Sequence, residues 1–461
     1  MNLKTILTSL LGVLISVCSA QAQGIHRTAC NGNIERLDSL LVTTPIDTLD
    51  EVGRTPLLYA TGCRSAGEAF NFLMDRGANP NIADSNGLSP LGFVVQRRDT
   101  LRLERLLAVN ADVNIVPNLL HTAVLNNDLF FTKNLIDENT DINAANDRGT
   151  TALEIAFREE FEEVAKFLLE KGADRGKVRK FEYKGEFFSE PLPESEPLMF
   201  APNFVSTESF VHSGVFHPNG NEFYYTLESA NYNFGTIMIS KRVDGIWTKP
   251  VPSDIEGDYR EIDPFITADG MTMYFNSNRP VPGADTLNGS ADIWKVERVG
   301  DSWGMPIYLG EEVNNEYHNW YPTIANSGRL YYTSGPNQNG DIHYSELKDG
   351  VYQAPLSLDD SVNSDAHDYD PFIAPDESYV IFSSIREGGF GGPDLYISFR
   401  KEDGSWTKAK NMGEVVNSST ADYAPAVTRD GKYFFFTSNI AGNSDIYWID
   451  SKLIKELNNS N

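Results

Sequence analysis

The residues best placed to do chemistry are acids standing just ahead of a proline. "EIDPFITADGMTMYFNS" (261–277), "DYDPFIAPDESYVIFSS" (368–384) and "DYAPAVTRDGKYFFFTS" (422–438) are near copies of one another. Counting back from the proline or its equivalent, position −3 holds Val211, Glu261, Asn319, Asp368 and Asp422, and position −1 holds Ser213, Asp263, Tyr321, Asp370 and Ala424. Residues two apart on a strand face one side. Glu261, Asp263, Asp368, Asp370 and Asp422 are therefore expected to converge on one rim, with Asn319 and Tyr321 filling the remaining slots. Tyr259, Tyr317, His318, Trp320, His367, Tyr369 and Tyr423 add aromatic and imidazole groups beside them. Carboxylates among rings suit a cation, an amine, a basic peptide or a sugar. Two carboxylates at a set separation would serve glycoside hydrolysis, and Glu261, Asp263, Asp368 and Asp370 are the candidates for acid, base or nucleophile. The plainer reading is that the repeat itself places acids on a solvated edge. Other chemical signatures are missing: no His-Glu-x-x-His, no Gly-x-Ser-x-Gly elbow and no phosphate loop. The glycine-rich "REGGFGGPDLYIS" (386–398) lacks a strand-to-helix setting and reads as a flexible hairpin loop. No cofactor is expected.

The elements that must hold these acids repeat about every fifty residues from 198 onward. "GVFHPNG", "PFITADG", "PTIANSG", "PFIAPDE" and "PAVTRDG" each lead into an alternating strand: "EFYYT", "TMYFNS", "RLYYTS", "YVIFSS" and "YFFFTS". A third strand follows: "TIMIS", "DIWKV", "DIHYS", "DLYIS" and "DIYWI". Asp-Gly or Asn-Gly between alternating runs is a strong hairpin signal, and four short strands per unit in regular copies suggest propeller blades. Asp292, Asp341, Asp394 and Asp445 open third strands, and Asp269, Asp376 and Asp430 sit at hairpin turns. Such positions ordinarily satisfy nearby backbone N–H groups. The units resemble the TolB-type, WD-repeat-like β-propeller repeat, with its Pro-x-apolar-x-x-Asp-Gly, Tyr-Phe-x-Ser and Asp-apolar-Tyr pattern. Only four units own a fourth strand, and "LMFAPNFVS" (198–206) looks like the missing one, closing the ring from its N-terminal side. The expectation is a propeller of five four-stranded blades over 198–455, with six as the alternative.

Residues 24–177 have a shorter period, slightly above thirty. Units open at "RTPLLYA" (54–60), "LSPLGFV" (88–94), "NLLHTAV" (118–124) and "TTALEIA" (150–156), after a degenerate one at "IHRTACNGNIERLDSLL". Thr-Pro suits a helix start, where proline costs no hydrogen bond. "EEVAKFLLEKG" (162–172) is amphipathic, and glycine, or Asn110 or Asn139, ends the second helix in a left-handed cap. These units resemble the ankyrin repeat, an α-solenoid in which isolated units must stack; the resemblance implies a protein partner and no catalysis. "KFEYKGEFFSEPLPESEP" (180–197), with three prolines and four glutamates, reads as part of a linker over 178–197, packed at its aromatic residues.

At 461 residues the chain is multidomain. Its net charge of −27 (38 − 65) argues against nucleic acid as a partner. Residues 1–22 read as a secretory signal peptide, with an apolar run from Ile6 to Val17 and a small-x-small site at Ala20–Ala22. A lipid anchor at Cys18 is the less favoured alternative, since Val17 before it is not small. No later segment is apolar enough to span a membrane. Cys30 and Cys63 then remain, either bridged in an oxidising compartment or buried as small residues. The expected function is an exported, noncatalytic binding protein of the periplasm or outside the cell, with a protein partner and a glycan or cation as further ligands. A carbohydrate-active enzyme is the alternative.

Overall fold

The computed structural model describes residues 24–459, apart from short stretches at 64–65, 86, 110, 114–118, 138–139, 147–148, 178–182, 208, 230–233, 256, 258, 289–290 and 336–339. The signal-peptide and Cys18 readings, and the caps at Asn110 and Asn139, lie outside the described residues. The chain divides into two compact units, Met1–Lys180 and Phe181–Asn461. Among the described residues no helix is long and apolar enough to cross a membrane.

The first unit is a stack of helix pairs. Inner helices Pro56–Gly62, Pro90–Arg97, Leu119–Leu125 and Ala152–Arg158 alternate with outer helices Gly67–Asp75, Thr100–Leu107, Leu129–Asn134 and Glu162–Glu170. Helical residues 24–31 and Ile34–Leu41 form the degenerate first pair. Capping explains the regularity. Thr55, Ser89 and Thr151 accept from the N–H three residues on, and Pro56 and Pro90 occupy first-turn positions where their missing donors cost nothing. Outer helices start on Asp99 and Asp128 in the same way. Successive repeats are tied by side-chain-to-backbone bonds: Asn79 N–H to Asp47, Asp112 N–H to Asn81 and Asp174 N–H to Asn143. One continuous apolar core runs through all five pairs. Cys30 and Cys63 are joined in a disulfide, Cα atoms 5.3 Å apart, which links the first pair to the second.

The second unit is five antiparallel sheets of four or five strands and one small hairpin, Leu347–Lys348 with Val351–Tyr352. We number them blades 1 to 5, with first strands Phe210–Phe216, Glu261–Ile266, His318–Ile324, Asp368–Ile373 and Asp422–Val427. Each first strand neighbours the next, and the fifth returns to the first, so the ring is closed. Apolar clusters fill the seams between successive blades; Tyr224 and Ile237 meeting Phe275 and Trp294 is one such seam. Blade 5 lacks a fourth strand of its own. Leu198–Met199 supplies it, pairing with Trp448 and Tyr447. The rest of 200–206 is irregular chain, still held to blade 5 by the Phe200 N–H and the Ser206 hydroxyl on Ile446, so the closing strand is shorter than the sequence suggested.

The expected linker is, from Tyr183 on, part of the second unit. Tyr183, Phe187 and Phe188 enter the seam between blades 5 and 1, where Phe188 stacks on Trp247 at 4.1 Å. After the last strand of blade 5, Lys452–Asn459 is a helix whose Ile454 and Leu457 pack on blades 4 and 5. The glycine-rich loop is not loose. Gly391 lies against the Ser419–Thr420 backbone, and Gly392 N–H bonds to Thr420 O.

Candidate functional site at the propeller mouth

Every first strand carries the same defect. Its register slips between the residue at −2 and the residue after the proline position. The residue at −1 is left-handed in all five blades, with φ of 56° at Ser213, 57° at Asp263, 55° at Tyr321, 51° at Asp370 and 52° at Ala424. This is a β-bulge, whose extra residue bends the strand and re-aims side chains. The freed N–H groups are caught by the preceding blade: Asp263 by Thr226 Oγ1 at 3.0 Å, Tyr321 by Asn276 Oδ1 at 2.8 Å and Asp370 by Thr333 Oγ1 at 3.0 Å. The bulge breaks the two-residue alternation, so positions −3 and −1 do not share a face. That overturns the expectation that all the acids meet on one rim.

Position −3 turns inward to close the preceding loop. Asp368 is fully buried; it accepts from the Ser364 N–H at 2.6 Å and hydroxyl at 2.8 Å, and pairs with Arg386 at 2.8 Å. Glu261 pairs with Arg279, whose guanidinium lies over the Tyr259, Phe275 and Trp294 rings. Burial pushes the Glu261 carboxyl up to about 7, against the pull of Arg279. Asp422 accepts from Ser418 N–H at 2.5 Å, has no arginine, and burial raises its carboxyl. Asn319 donates to Tyr317 O at 2.8 Å. Glu261 and Asp368 therefore do not face each other across an open pocket, the arrangement on which the glycosidase alternative depended. The hairpin aspartates behave as expected: Asp269, Asp376 and Asp430 each bond the N–H two residues on.

Position −1 points to the axis. Ser213 donates to Asp263 Oδ1 at 2.7 Å, and the Tyr321 hydroxyl reaches Pro425 O at 3.0 Å. Asp370 accepts from the Ala424 N–H and the Trp320 side chain. These residues form a constriction. On the side of the strand ends lies a small apolar cavity of about 70 Å³ under Pro264, Pro322 and Pro425. On the side of the strand starts lies an open mouth of about 420 Å³. Asp263 and Asp370 form its floor. Tyr423 lines it beside His212, with Glu228 and Arg260, and Trp320, His367 and Tyr369 form a second, aromatic group. His367 and Tyr369 stack at 4.4 Å.

The electrostatics of the mouth are set by one imidazole between two carboxylates. His212 Nε2 is 3.0 Å from Glu228 Oε2, and Nδ1 is 2.8 Å from Ser213 Oγ and 3.4 Å from Asp263 Oδ1. Burial disfavours its charge, but Asp263 and Glu228 more than offset that and leave its pKa at about 9. Glu228 is held down by His212 and Arg260 against the effect of burial. Asp370 goes the other way: burial, then the charge of Asp263, raises its carboxyl well above the usual range. Asp263 and Glu228 favour the charged imidazole, which sets His212 poorly for taking a proton from Ser213 in the Glu228–His212–Ser213 row. The arrangement is suited to holding a ligand.

Of the residues singled out from sequence, the mouth and constriction gather Asp263, Tyr321 and Asp370, with Trp320, His367, Tyr369 and Tyr423. Glu261, Asn319, Asp368 and Asp422 lie apart from them. Sequence reasoning missed His212, Glu228 and Arg260. A signal did exist: His212 occupies the −2 slot that Trp320, Tyr369 and Tyr423 fill in other blades.

Comparison with known proteins places the first unit. A family model of ankyrin repeats in three copies matches residues 91–177, and a single ankyrin repeat matches 52–85. The chain is 25% identical over 211 residues to an ankyrin repeat protein of Acanthamoeba polyphaga mimivirus, covering 42% of this chain and 26% of that one. It is 29% identical over 161 residues to the transient receptor potential cation channel subfamily A member 1 of Homo sapiens, covering 34% and 12%. It thus spans about a quarter or less of these relatives. A solved ankyrin repeat protein superposes with a TM-score of 0.31 at 27% identity, covering 34% of this chain and 85% of that one. Residues 52–85 and 91–177 are ankyrin repeats, and the chain continues into a five-bladed β-propeller.

Proposed function

We propose that this is an exported, noncatalytic recognition protein that takes a protein partner on its ankyrin repeats and a ligand at the propeller mouth. The observation that carries the first half is the ankyrin match itself, since such repeats imply protein–protein interaction. Leu101 and Phe130, 81% and 42% exposed, offer apolar contacts at matching positions of successive outer helices. Export is supported by the leader-like residues 1–22 and by the Cys30–Cys63 bond, which persists in oxidising compartments. The envelope setting rests on the resemblance of the blade pattern to the TolB type.

The test is crosslinking capture from a bacterial envelope extract with the whole chain as bait. A specific partner should be captured by wild type and by Asp370→Asn, and lost with Leu101→Glu/Phe130→Glu. Capture that survives the ankyrin pair and vanishes with the mouth variant would reverse the assignment of surfaces.

A further inference from the structure

The propeller mouth has a chemistry more specific than "ligand site". Its volume of about 420 Å³ falls in the range of small-ligand pockets. One wall is aromatic, and ring faces attract positive charge. The floor is carboxylate: Asp263 and Asp370 are each 7% exposed. The charged lining comprises Glu228, Asp263 and Asp370 against Arg260 and His212, a formal balance of 2 − 3 = −1 with every group ionised. Arg260 is committed to Glu228, and His212 is shared by Glu228 and Asp263. Asp370 is faced by the Ala424 N–H and the Trp320 side chain, and the favourable charge that acts on it, that of His212, is the one already shared by Glu228 and Asp263. With Asp370 ionised the mouth is one positive charge short, and the place for that charge is beside Asp370, where the aromatic residues meet the floor.

We propose that the mouth binds an organic ammonium ion, with its head against Asp370 and Asp263 and its carbon body against Trp320 and Tyr369. This rests on the reading of the mouth as a ligand site. An anion would face three carboxylates with no uncommitted cation. A bare metal ion wants several oxygen or nitrogen ligands converging, and no such cluster exists among the described residues. A neutral sugar would leave the floor unbalanced. An ammonium ion takes the place of the proton that burial otherwise keeps on Asp370.

Calorimetric titration of the whole chain with n-butylammonium, choline, n-butanol and N-acetylglucosamine tests this. Saturable binding of n-butylammonium or choline is expected, with n-butanol and the sugar inert. Asp370→Asn should weaken it by at least about tenfold, and Trp320→Leu should weaken it by several-fold. Melting curves of both variants establish that they are folded. Cation binding unchanged in both folded variants would overturn the proposal. Binding of n-butanol or the sugar that is lost in Trp320→Leu would overturn the ammonium assignment and leave the mouth as a ligand site. No binding by any of the four would overturn the ammonium proposal, and an unchanged capture of the protein partner would leave the ankyrin half of the function standing.

Discussion

Raising the pH should loosen the propeller at His212. Its imidazole sits buried between Glu228 and Asp263, with a folded pKa of about 9 against 6.5 for an ordinary histidine. The folded state therefore keeps a proton that the unfolded chain gives up. The stability this contributes is complete below about pH 6.5 and is lost as pH rises towards 9. The gap of 9 − 6.5 = 2.5 corresponds to about 3 kcal/mol. Neighbouring shifts do not cancel it. Glu261, pushed to about 7, loses stability mainly as pH rises from 4.5 to 7, so its penalty is nearly constant across most of this window. Asp370, raised by burial, acts in the same direction as His212. His367, lowered by burial, penalises the folded state only as pH falls below about 6.5. The assay is selective, because all six tryptophans lie in the propeller, from Trp247 to Trp448. Urea unfolding followed by tryptophan fluorescence should show wild type losing about 3 kcal/mol between pH 6.5 and 9. His212→Gln should start lower, by roughly 3 kcal/mol for a buried charge left uncompensated, and then lose clearly less than wild type, through Asp370 alone. Parallel losses in the two proteins would refute the reasoning.

Three further outcomes follow from the contacts. Reducing the Cys30–Cys63 bond should cost the ankyrin unit about 2–4 kcal/mol, read as a lower helical circular-dichroism melt with the tryptophan transition unmoved. Arg386→Ala leaves the fully buried Asp368 carboxylate with Ser364 alone and should cost about 3–5 kcal/mol in urea unfolding; a loss below about 1 kcal/mol would mean that the pair does not hold the loop. Gly391→Ala places a methyl against the Ser419 and Thr420 backbone and should cost about 1–3 kcal/mol, whereas a freely moving loop would tolerate it.

The architecture was legible because each repeat announces its own period. Thr-Pro starts, left-handed caps and 3.6-residue faces gave the helix pairs. Asp-Gly turns and alternating aromatics gave the blades, and the blade short of a strand pointed to its closure from Leu198. The site was legible only in part. Alternation predicts that −3 and −1 share a face, and a bulge is the one feature that cancels alternation without altering composition. Nothing about Asp370 or Ala424 marks a left-handed residue in the way a glycine would. The C-terminal helix was missed because "LIKEL" is short, and its face is recognisable only beside the apolar edge of blades 4 and 5. The glycine-rich loop was misjudged because glycine permits both mobility and close backbone approach, and here it serves the second.

Variation in charge among equivalent repeat positions does not by itself mark function. Position −3 varies as widely as −1, yet part of its variation is answered locally. Glu261 and Asp368 are the charged occupants that have an arginine two residues past the second strand, in Ser277-Asn278-Arg279 and Ser384-Ile385-Arg386. Asn319, uncharged, needs none, and Asp422, which has none, is pushed towards its neutral form. Blade by blade, the slot settles its own charge and is structural. Position −1 has no such local answer. Ser213 and His212 of blade 1 serve Asp263 of blade 2, and Ala424 of blade 5 serves Asp370 of blade 4. Those residues are balanced across the axis, and incompletely. Asp263 is answered by His212 of the neighbouring blade, and Asp370 by a carboxyl pushed towards its neutral form, so the asymmetry at −1, unlike that at −3, leaves room for the ligand proposed above.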